Sequence, residues 1–161
     1  MILINKLMKK DLVTSGPNET VSAVSKRMSE KKMGAILVIE NGHLVSIFTE
    51  RDLLNRVVAL GRDPNSTLIK EVATPNPICV KESTRVKECA EILNSQNFRH
   101  IPVINDEGTA IGIISSRDFF QYMTEELERL IFRFRSSGEK IEDNFDPYEY
   151  FGAGGFGLPR D

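Results

Sequence analysis

The chain carries one pattern of residues twice, and this internal repeat limits the possible folds more than any other feature of the sequence. Apolar positions in the first part recur 65 positions later, whereas the segment around Asp52 recurs after 66 positions. The extra residue falls near Asn105 and Asp106, just before the turn glycine Gly108, where an insertion disturbs a fold least. The matching pairs are Val21 and Val86, Met28 and Leu93, Val38 and Val103, Gly42 and Gly108, Thr49 and Ser115, Arg51 and Arg117, and Asp52 and Asp118.

Each copy predicts the same order of elements: a short strand, a helix, two strands joined by a glycine turn, and a second helix. The helices follow from apolar residues at helical spacing. The hairpin of the first copy follows from Asn41 and Gly42, because both residues tolerate a positive φ. The predicted segments are helices 21–28 and 86–93, hairpin strands 35–39, 44–48, 101–104 and 110–114, short first strands 13–14 and 78–80, and second helices that begin near residues 50 and 116.

The fold class is therefore α+β, with two tandem β-α-β-β-α repeats packed in a pseudo-two-fold arrangement. We divide the chain into repeat one at 1–64, repeat two at 65–123, and a C-terminal part at 124–161. That last part continues the final helix along 121–135 and ends in a flexible, acidic, aromatic and glycine-rich tail that could dock onto a partner. One copy alone is too small to cover both faces of its sheet, so the copies should bury each other's open faces. Half of the chain should not fold well alone.

The composition excludes several function classes. Of 161 residues, 21 are basic and 23 are acidic, and the resulting net charge of −2 argues against a nucleic-acid-binding domain. The apolar runs are too short to cross a membrane, and the first residues lack the layout of a signal peptide. The two cysteines, Cys79 and Cys89, are too few for a disulfide scaffold and are expected to be small buried thiols. We expect a cytoplasmic protein without membrane or nucleic-acid partners.

The sequence also argues against an enzyme. It contains no Walker loop, no dinucleotide-binding fingerprint and no arrangement of a nucleophile with a base. His43 and His100 lie far apart and no paired cysteine motif accompanies them, so a metal site is not expected. These features disfavour a nucleotide hydrolase, which is the enzymatic alternative to a binding module.

A hydroxyl residue followed three positions later by aspartate marks the junction of strand and helix in both copies. The pairs are Thr49 with Asp52 and Ser115 with Asp118. One interpretation is a capping box, which satisfies free amides and starts a helix. The other is a ligand site, because the positive helix end favours an anion and a carboxylate can accept hydrogen bonds from a ribose diol. Arg51 and Arg117 add a guanidinium at the same edge, which capping does not require.

These residues, twice and in order, closely resemble a tandem pair of CBS (cystathionine β-synthase) domains. The resemblance covers about residues 4–123, and its most specific segments are 48–53, 99–104 and 112–119. It implies a regulatory module, often a homodimer, that binds AMP, ADP, ATP or sometimes S-adenosylmethionine in clefts between the repeats. It further implies that Asp52 or Asp118 holds the ribose, that Thr49 or Ser115 contacts ribose or phosphate, and that the base lies near Val13, Thr14, Ile78 and Cys79.

The two copies differ at positions that matter for this function. Arg99 and His100, which resemble a pair that contacts phosphate in other family members, align with Gly34 and Ala35. We therefore expect two unequal clefts, and we favour the cleft with Asp118 and Ser115, assisted by Arg99, His100 and Arg51.

The resulting hypothesis is a nucleotide sensor that acts in trans on an unknown regulated protein. The alternative is a structural dimerisation module or scaffold whose capping boxes bind nothing. Dimerisation would use apolar residues of the second helices, namely Leu53, Leu54, Val57, Val58, Leu60, Phe119, Phe120 and Met123.

Overall fold

The computed structural model describes residues 3–137 and confirms the α+β fold with two tandem repeats. The chain divides into two compact units, Met1–Asp118 and Phe119–Asp161. The predicted continuation of the last helix is present, since that helix extends to Ser137. The acidic, aromatic and glycine-rich tail lies outside the described residues.

The first copy contains five elements after a 3-10 turn at Ile4–Lys6. Its helix α1 starts where the Thr20 side chain accepts a hydrogen bond from the Ala23 amide. Its second helix starts as predicted, but after one α-helical turn it widens into a π-helix, a form that is common near functional sites. The elements are β1 (Thr14–Ser15), α1 (Val21–Glu30), β2 (Ala35–Glu40), β3 (His43–Thr49), and α2 (Glu50–Asp52) with the π-helix Leu53–Val58.

The second copy repeats this order without the π-helix. Its elements are α3 (Ile69–Val72), β4 (Thr74–Pro75), β5 (Val80–Lys81), α4 (Val86–Ser95), β6 (His100–Ile104), β7 (Ala110–Ser115) and α5 (Ser116–Ser137). Among residues 3–137, no helix has both the length and the apolar character that a membrane span requires.

Two sheets contain the strands, in the orders β1-β2-β3-β4 and β5-β6-β7. In each sheet the short first strand pairs in parallel with the first hairpin strand, and the hairpin is antiparallel. The short first strands lie one or two residues later than predicted, at 14–15 and 80–81. As a result Ile78 precedes its strand, and its side chain is 47% exposed.

The opening segment of each copy completes the other copy. The amide of Ile4 donates to the Thr84 carbonyl, and the amide of Ile69 donates to the Glu19 carbonyl, which is the equivalent contact 65 positions on. Likewise Thr74 of β4 pairs with Ile47 of the first hairpin. At the equivalent place, Lys9 forms an antiparallel bridge with Ile113 of the second hairpin. The copies are therefore interlocked, which explains physically why a half of the chain should not fold alone.

The main apolar core lies under the first sheet and includes a residue that we had assigned to the surface. Val57 is only 1% exposed and packs with Phe48, Ile36 and Ile69. The expectation that Val57 offers a dimer surface is therefore wrong, because the π-helix directs this side chain into the core. Leu54, Val58, Leu60 and Phe120 of the same proposed surface are exposed. A second cluster joins the two hairpins through Ala35, Leu37, Ile47 and Ile113.

One packing difference between the copies leads to a prediction. A Cβ atom at Gly112 would lie 2.8 Å from the Met8 sulfur and 3.2 Å from the Lys9 carbonyl oxygen. In the first copy Ser46 corresponds to Gly112 and Ala73 corresponds to Met8. The larger residue on the strand thus occurs together with the smaller packing partner. Replacement of Gly112 by alanine should lower the free energy of unfolding by about 1–3 kcal/mol through overpacking.

Urea denaturation of the Gly112→Ala variant tests this packing, with Met8→Ala as the second background. The cost should shrink when Met8 is already alanine, because the shorter side chain leaves room for the new Cβ. An equal cost in both backgrounds would contradict the assignment of Met8 as the partner of Gly112.

Candidate functional site

A cleft of about 440 Å³ lies where α2 of the first copy faces the strand β6 of the second. Both copies contribute to its walls, and several of its polar groups lie at the N-terminus of α2. Apolar residues such as Ile47, Ile78 and Pro102 form another part of the lining. The cleft is lined by Gly34, Ile47, Thr49, Glu50, Arg51, Asp52, Asn55, Arg56, Thr74, Asn76, Pro77, Ile78, Asn97, Phe98, Arg99, His100 and Pro102.

The Asp52 carboxylate is the central polar group of the cleft and is 7% exposed. Its Oδ2 atom accepts hydrogen bonds from the Thr49 amide at 2.9 Å and the Thr49 hydroxyl at 2.7 Å, which completes a capping box. Its Oδ1 atom has longer contacts, 3.3 Å from the Thr74 hydroxyl and 3.5 Å from Arg56 Nη1. Capping therefore uses one carboxylate oxygen, and the other remains available to a ligand hydroxyl. The two interpretations of this motif are compatible.

Three arginines and one histidine supply positive charge or hydrogen-bond donors to the cleft. Arg51 and Arg99 are exposed and come from different copies. Arg51 reaches across the cleft and donates to the Asn97 carbonyl at 3.4 Å. Arg56 donates to the Val72 carbonyl at 2.9 Å, beside its contact with Asp52. Such guanidinium groups suit bidentate recognition of phosphate.

His100 stands at the start of β6, among charged groups from both copies. Burial lowers the pKa of His100 below its usual value, and this effect outweighs the carboxylates of Glu50 and Asp118, which raise the pKa. Arg99 and Lys9 add small contributions that lower it further. The lowered pKa favours the neutral imidazole at neutral pH, and a bound anion would favour its protonated form.

The equivalent carboxylate of the second copy, Asp118, has a different environment. Its Oδ2 atom accepts hydrogen bonds from the Ser115 amide at 2.8 Å and the Ser115 hydroxyl at 2.5 Å. Its Oδ1 atom lies 3.0 Å from the Lys9 ammonium, where the first copy has Thr74. Burial raises the pKa of Asp118, but the hydrogen bonds from Ser115 and Lys9 outweigh it and the pKa is lowered.

The structure groups the predicted site residues differently from our expectation. Arg51, Arg99 and His100 line the cleft of Asp52 and Thr49. His100 also pairs in register with Ser115 and lies near Asp118, so the expectation that these residues assist Asp118 and Ser115 stays a prediction. The interlocked segments explain the difference, because they place β6 of the second copy opposite α2 of the first. The predicted residues outside the lining of this cleft are Val13, Thr14, Cys79, Ser115, Arg117 and Asp118.

Of the four residues predicted near the base, Ile78 alone lines the cleft. Val13 packs against the apolar core, and Thr14 is exposed with its carbonyl bound to Arg27. The thiol of Cys79 donates to the Pro77 carbonyl, and burial raises the pKa of this thiol. Cys89, by contrast, is buried as expected, and its pKa is raised to about 11.

Sequence reasoning missed several lining residues, including Asn55, Arg56, Thr74 and Asn76. A signal for Arg56 was present, since it follows Asp52 by four positions in a helix and such pairs lie side by side. A signal for Thr74 was its 65-residue offset from Lys9. No group of three or more metal-binding side chains occurs in the part of the chain that the structure describes.

Comparisons with known proteins agree with this architecture. The family model of the CBS domain matches residues 4–59 and again residues 69–125. An uncharacterized 17.7 kDa protein of Acidianus ambivalens is 30% identical over 149 residues, which cover 86% of this chain and 87% of that protein. The CBS domain-containing protein CBSCBSPB3 of Arabidopsis thaliana is 31% identical over 98 residues, or 61% of this chain, but this match spans only 18% of that longer protein.

Two solved structures have the same fold over most of the chain. A CBS-domain containing protein of Agrobacterium tumefaciens has a TM-score of 0.70 and 28% identity, with 76% of this chain and 99% of that chain covered. A CBS domain protein of Pyrobaculum aerophilum, solved in complex with AMP, has a TM-score of 0.67 and 28% identity, with 73% and 89% covered. Because the family model matches both repeats, the chain belongs to the CBS domain family as a tandem pair of CBS domains.

Proposed function

We propose that the Asp52 cleft binds an adenine nucleotide and that its occupancy regulates a partner protein in the cytoplasm. The observation that carries this proposal is the combination, in one cleft, of a carboxylate whose second oxygen has only long contacts and cations from both copies. The family supports a regulatory module that binds nucleotides, and the Pyrobaculum aerophilum relative was solved with AMP.

Each part of a nucleotide has a matching group in the cleft. Asp52 Oδ1 would accept hydrogen bonds from the ribose diol in place of its long contacts with Thr74 and Arg56. Arg51, Arg99 and His100 would contact the phosphate from both sides. Ile78, 47% exposed, with Ile47 and Pro102 beside it, would pack against the adenine ring.

The charge of the cleft favours a monophosphate. Three arginines and two carboxylates line it, which leaves an excess of one positive charge before His100 is counted. AMP carries fewer negative charges than ADP or ATP, so it needs less neutralisation on entering a partly buried site. We therefore propose AMP as the tightest ligand and ADP and ATP as weaker ones. S-Adenosylmethionine should also bind more weakly, because it has no phosphate for the arginines to contact.

A ligand held by both copies can act as a regulator. It would favour the arrangement of the copies in which all of these groups converge, and a partner would have to distinguish that state from the empty one. The exposed residues Leu54, Val58, Leu60 and Phe120 would support a homodimer or contact with a partner. We propose a regulatory rather than a catalytic role, which is in keeping with the family.

Calorimetric titration of the purified protein with AMP, ADP, ATP and S-adenosylmethionine tests the proposal. We expect saturable binding that is tightest for AMP, and unchanged ATP after prolonged incubation. An absence of binding to all four compounds would favour the scaffold alternative, and sustained turnover of ATP would refute a purely regulatory role.

A further inference from the structure

Gly34 lies close to the His100 ring, although the two residues come from different copies. A Cβ atom built at Gly34 would lie 3.1 Å from His100 Cε1 and 3.3 Å from His100 Nε2. It would also lie 3.3 Å from Glu50 Oε2. These distances are tighter than most contacts of a Cβ atom, so a side chain at position 34 would push the imidazole or the carboxylate away by a few tenths of an ångström.

The backbone holds position 34 firmly in this place. The Gly34 carbonyl accepts a hydrogen bond from the Glu50 amide at 3.1 Å, at the start of α2. In the second copy the Arg99 carbonyl accepts the equivalent bond from the Ser116 amide at 3.0 Å. Positions 34 and 99 are thus equivalent, yet one carries a large cationic side chain and the other carries none. Position 34 differs from position 99 in that the His100 ring occupies the space where its side chain would lie.

We propose that Gly34 is a positioning residue, whose lack of a side chain seats the His100 imidazole in the cleft between the two copies. The effect of Gly34 on ligand binding rests on the proposed function, whereas its effect on the His100 ring does not. His100 faces Glu50 from α2, Asp118 from α5, Lys9 from the opening segment, and its neighbour Arg99. Because all of these charges act on the ring at its present position, a displaced ring would titrate differently.

NMR titration without any nucleotide measures the ring directly. The chain has two histidines, so a His43→Gln background leaves the His100 signal unambiguous. In that background we expect His100 to titrate below the usual value for histidine, because burial lowers its pKa. Gly34→Ala should shift the midpoint upward as the ring moves toward water, and this shift is the decisive result.

Binding of AMP supplies the second measurement. Gly34→Ala should weaken binding by about tenfold near pH 6.5, the equivalent of one charge-assisted hydrogen bond. Bound phosphate favours protonated His100, so wild-type affinity should rise as the pH falls through neutrality, and this rise should be smaller in Gly34→Ala. In a His100→Ala background, Gly34→Ala should cost less affinity, because only the close approach to Glu50 is then left. Gly16→Ala is the matched control, because its new Cβ would meet only Glu19 Oε1 at 4.0 Å.

The outcomes separate the two proposals. An unchanged His100 midpoint in a folded Gly34→Ala variant overturns the positioning role, whether or not AMP binds. An equal loss of affinity with and without His100 overturns it as well. Failure of the wild-type protein to bind any nucleotide overturns the proposed function alone. The titration midpoint of His100 is measured without nucleotide and still shows whether Gly34 positions the ring.

Discussion

Asp52→Asn is expected to weaken AMP binding by about a hundredfold, because the ribose loses a charged acceptor that is mostly shielded from water. Asparagine preserves the size of the side chain and retains one oxygen for the Thr49 amide. The amide nitrogen then replaces Asp52 Oδ1, so the variant loses the oxygen that would accept the ribose hydroxyls and keeps the contact with Thr49. Calorimetry at constant ionic strength gives the ratio of affinities.

Asp118→Asn is the matched control for this experiment. Asp118 forms the same capping contacts with Ser115 that Asp52 forms with Thr49, so the two variants should lose similar stability. Asp118 already has the Lys9 ammonium at its other oxygen, and it lies outside the lining of the cleft. We expect a smaller loss of AMP affinity than for Asp52→Asn, at most about tenfold, because Asp118 acts on the ligand only through the charge that it places near His100. A larger loss for Asp118→Asn than for Asp52→Asn would restore the assignment that the sequence alone favoured.

Ile4→Ala should lower the free energy of unfolding by about 3 kcal/mol, because it truncates a fully buried side chain. Ile4 is only 1% exposed, and its amide donates to Thr84 in the second copy. Its equivalent, Ile69, is fully buried in the core of the first copy. Replacement of Ile4 by alanine therefore leaves a cavity among buried residues.

Urea denaturation followed by circular dichroism measures this cost, with Lys6→Ala as the control because Lys6 is exposed in the same 3-10 turn. Lys6→Ala should stay within about 0.5 kcal/mol of wild type. If Ile4→Ala is equally neutral, the opening segment does not stabilise the second copy. Ile69→Ala should match Ile4→Ala in size, since the two positions are equivalent.

The sequence predicted those features that depend on local pattern. Both hairpins, both central helices and the starts of both second helices follow from residue spacing and from the turn at Asn41 and Gly42. The capping boxes at Thr49 and Ser115 were predictable for the same reason, since each involves residues three positions apart. The π-helix at Leu53–Val58 was not predictable, because its apolar residues show no spacing that differs clearly from that of an α-helix.

The grouping of site residues could not be predicted from local pattern. Whether Arg99 and His100 face Asp52 or Asp118 depends on how the copies interlock, which is set by pairings such as Thr74 with Ile47. A repeat in the sequence shows that two units are equivalent but does not show which unit supplies the opposite wall of each cleft. The role of Gly34 was hidden for the same reason, since its neighbour His100 is distant in sequence.

The exchange of opening segments bears on the order in which the protein can mature during synthesis. The first copy lacks its last strand until Thr74 and Pro75 have left the ribosome, so its sheet stays incomplete well after its own hairpin has been made. Ile4 and Lys9 are translated well before their partners Thr84 and Ile113. During synthesis, the apolar side chain of Ile4 therefore stays unpaired until the second copy has been translated. A translational pause between the copies would prolong the time for which it is exposed to aggregation.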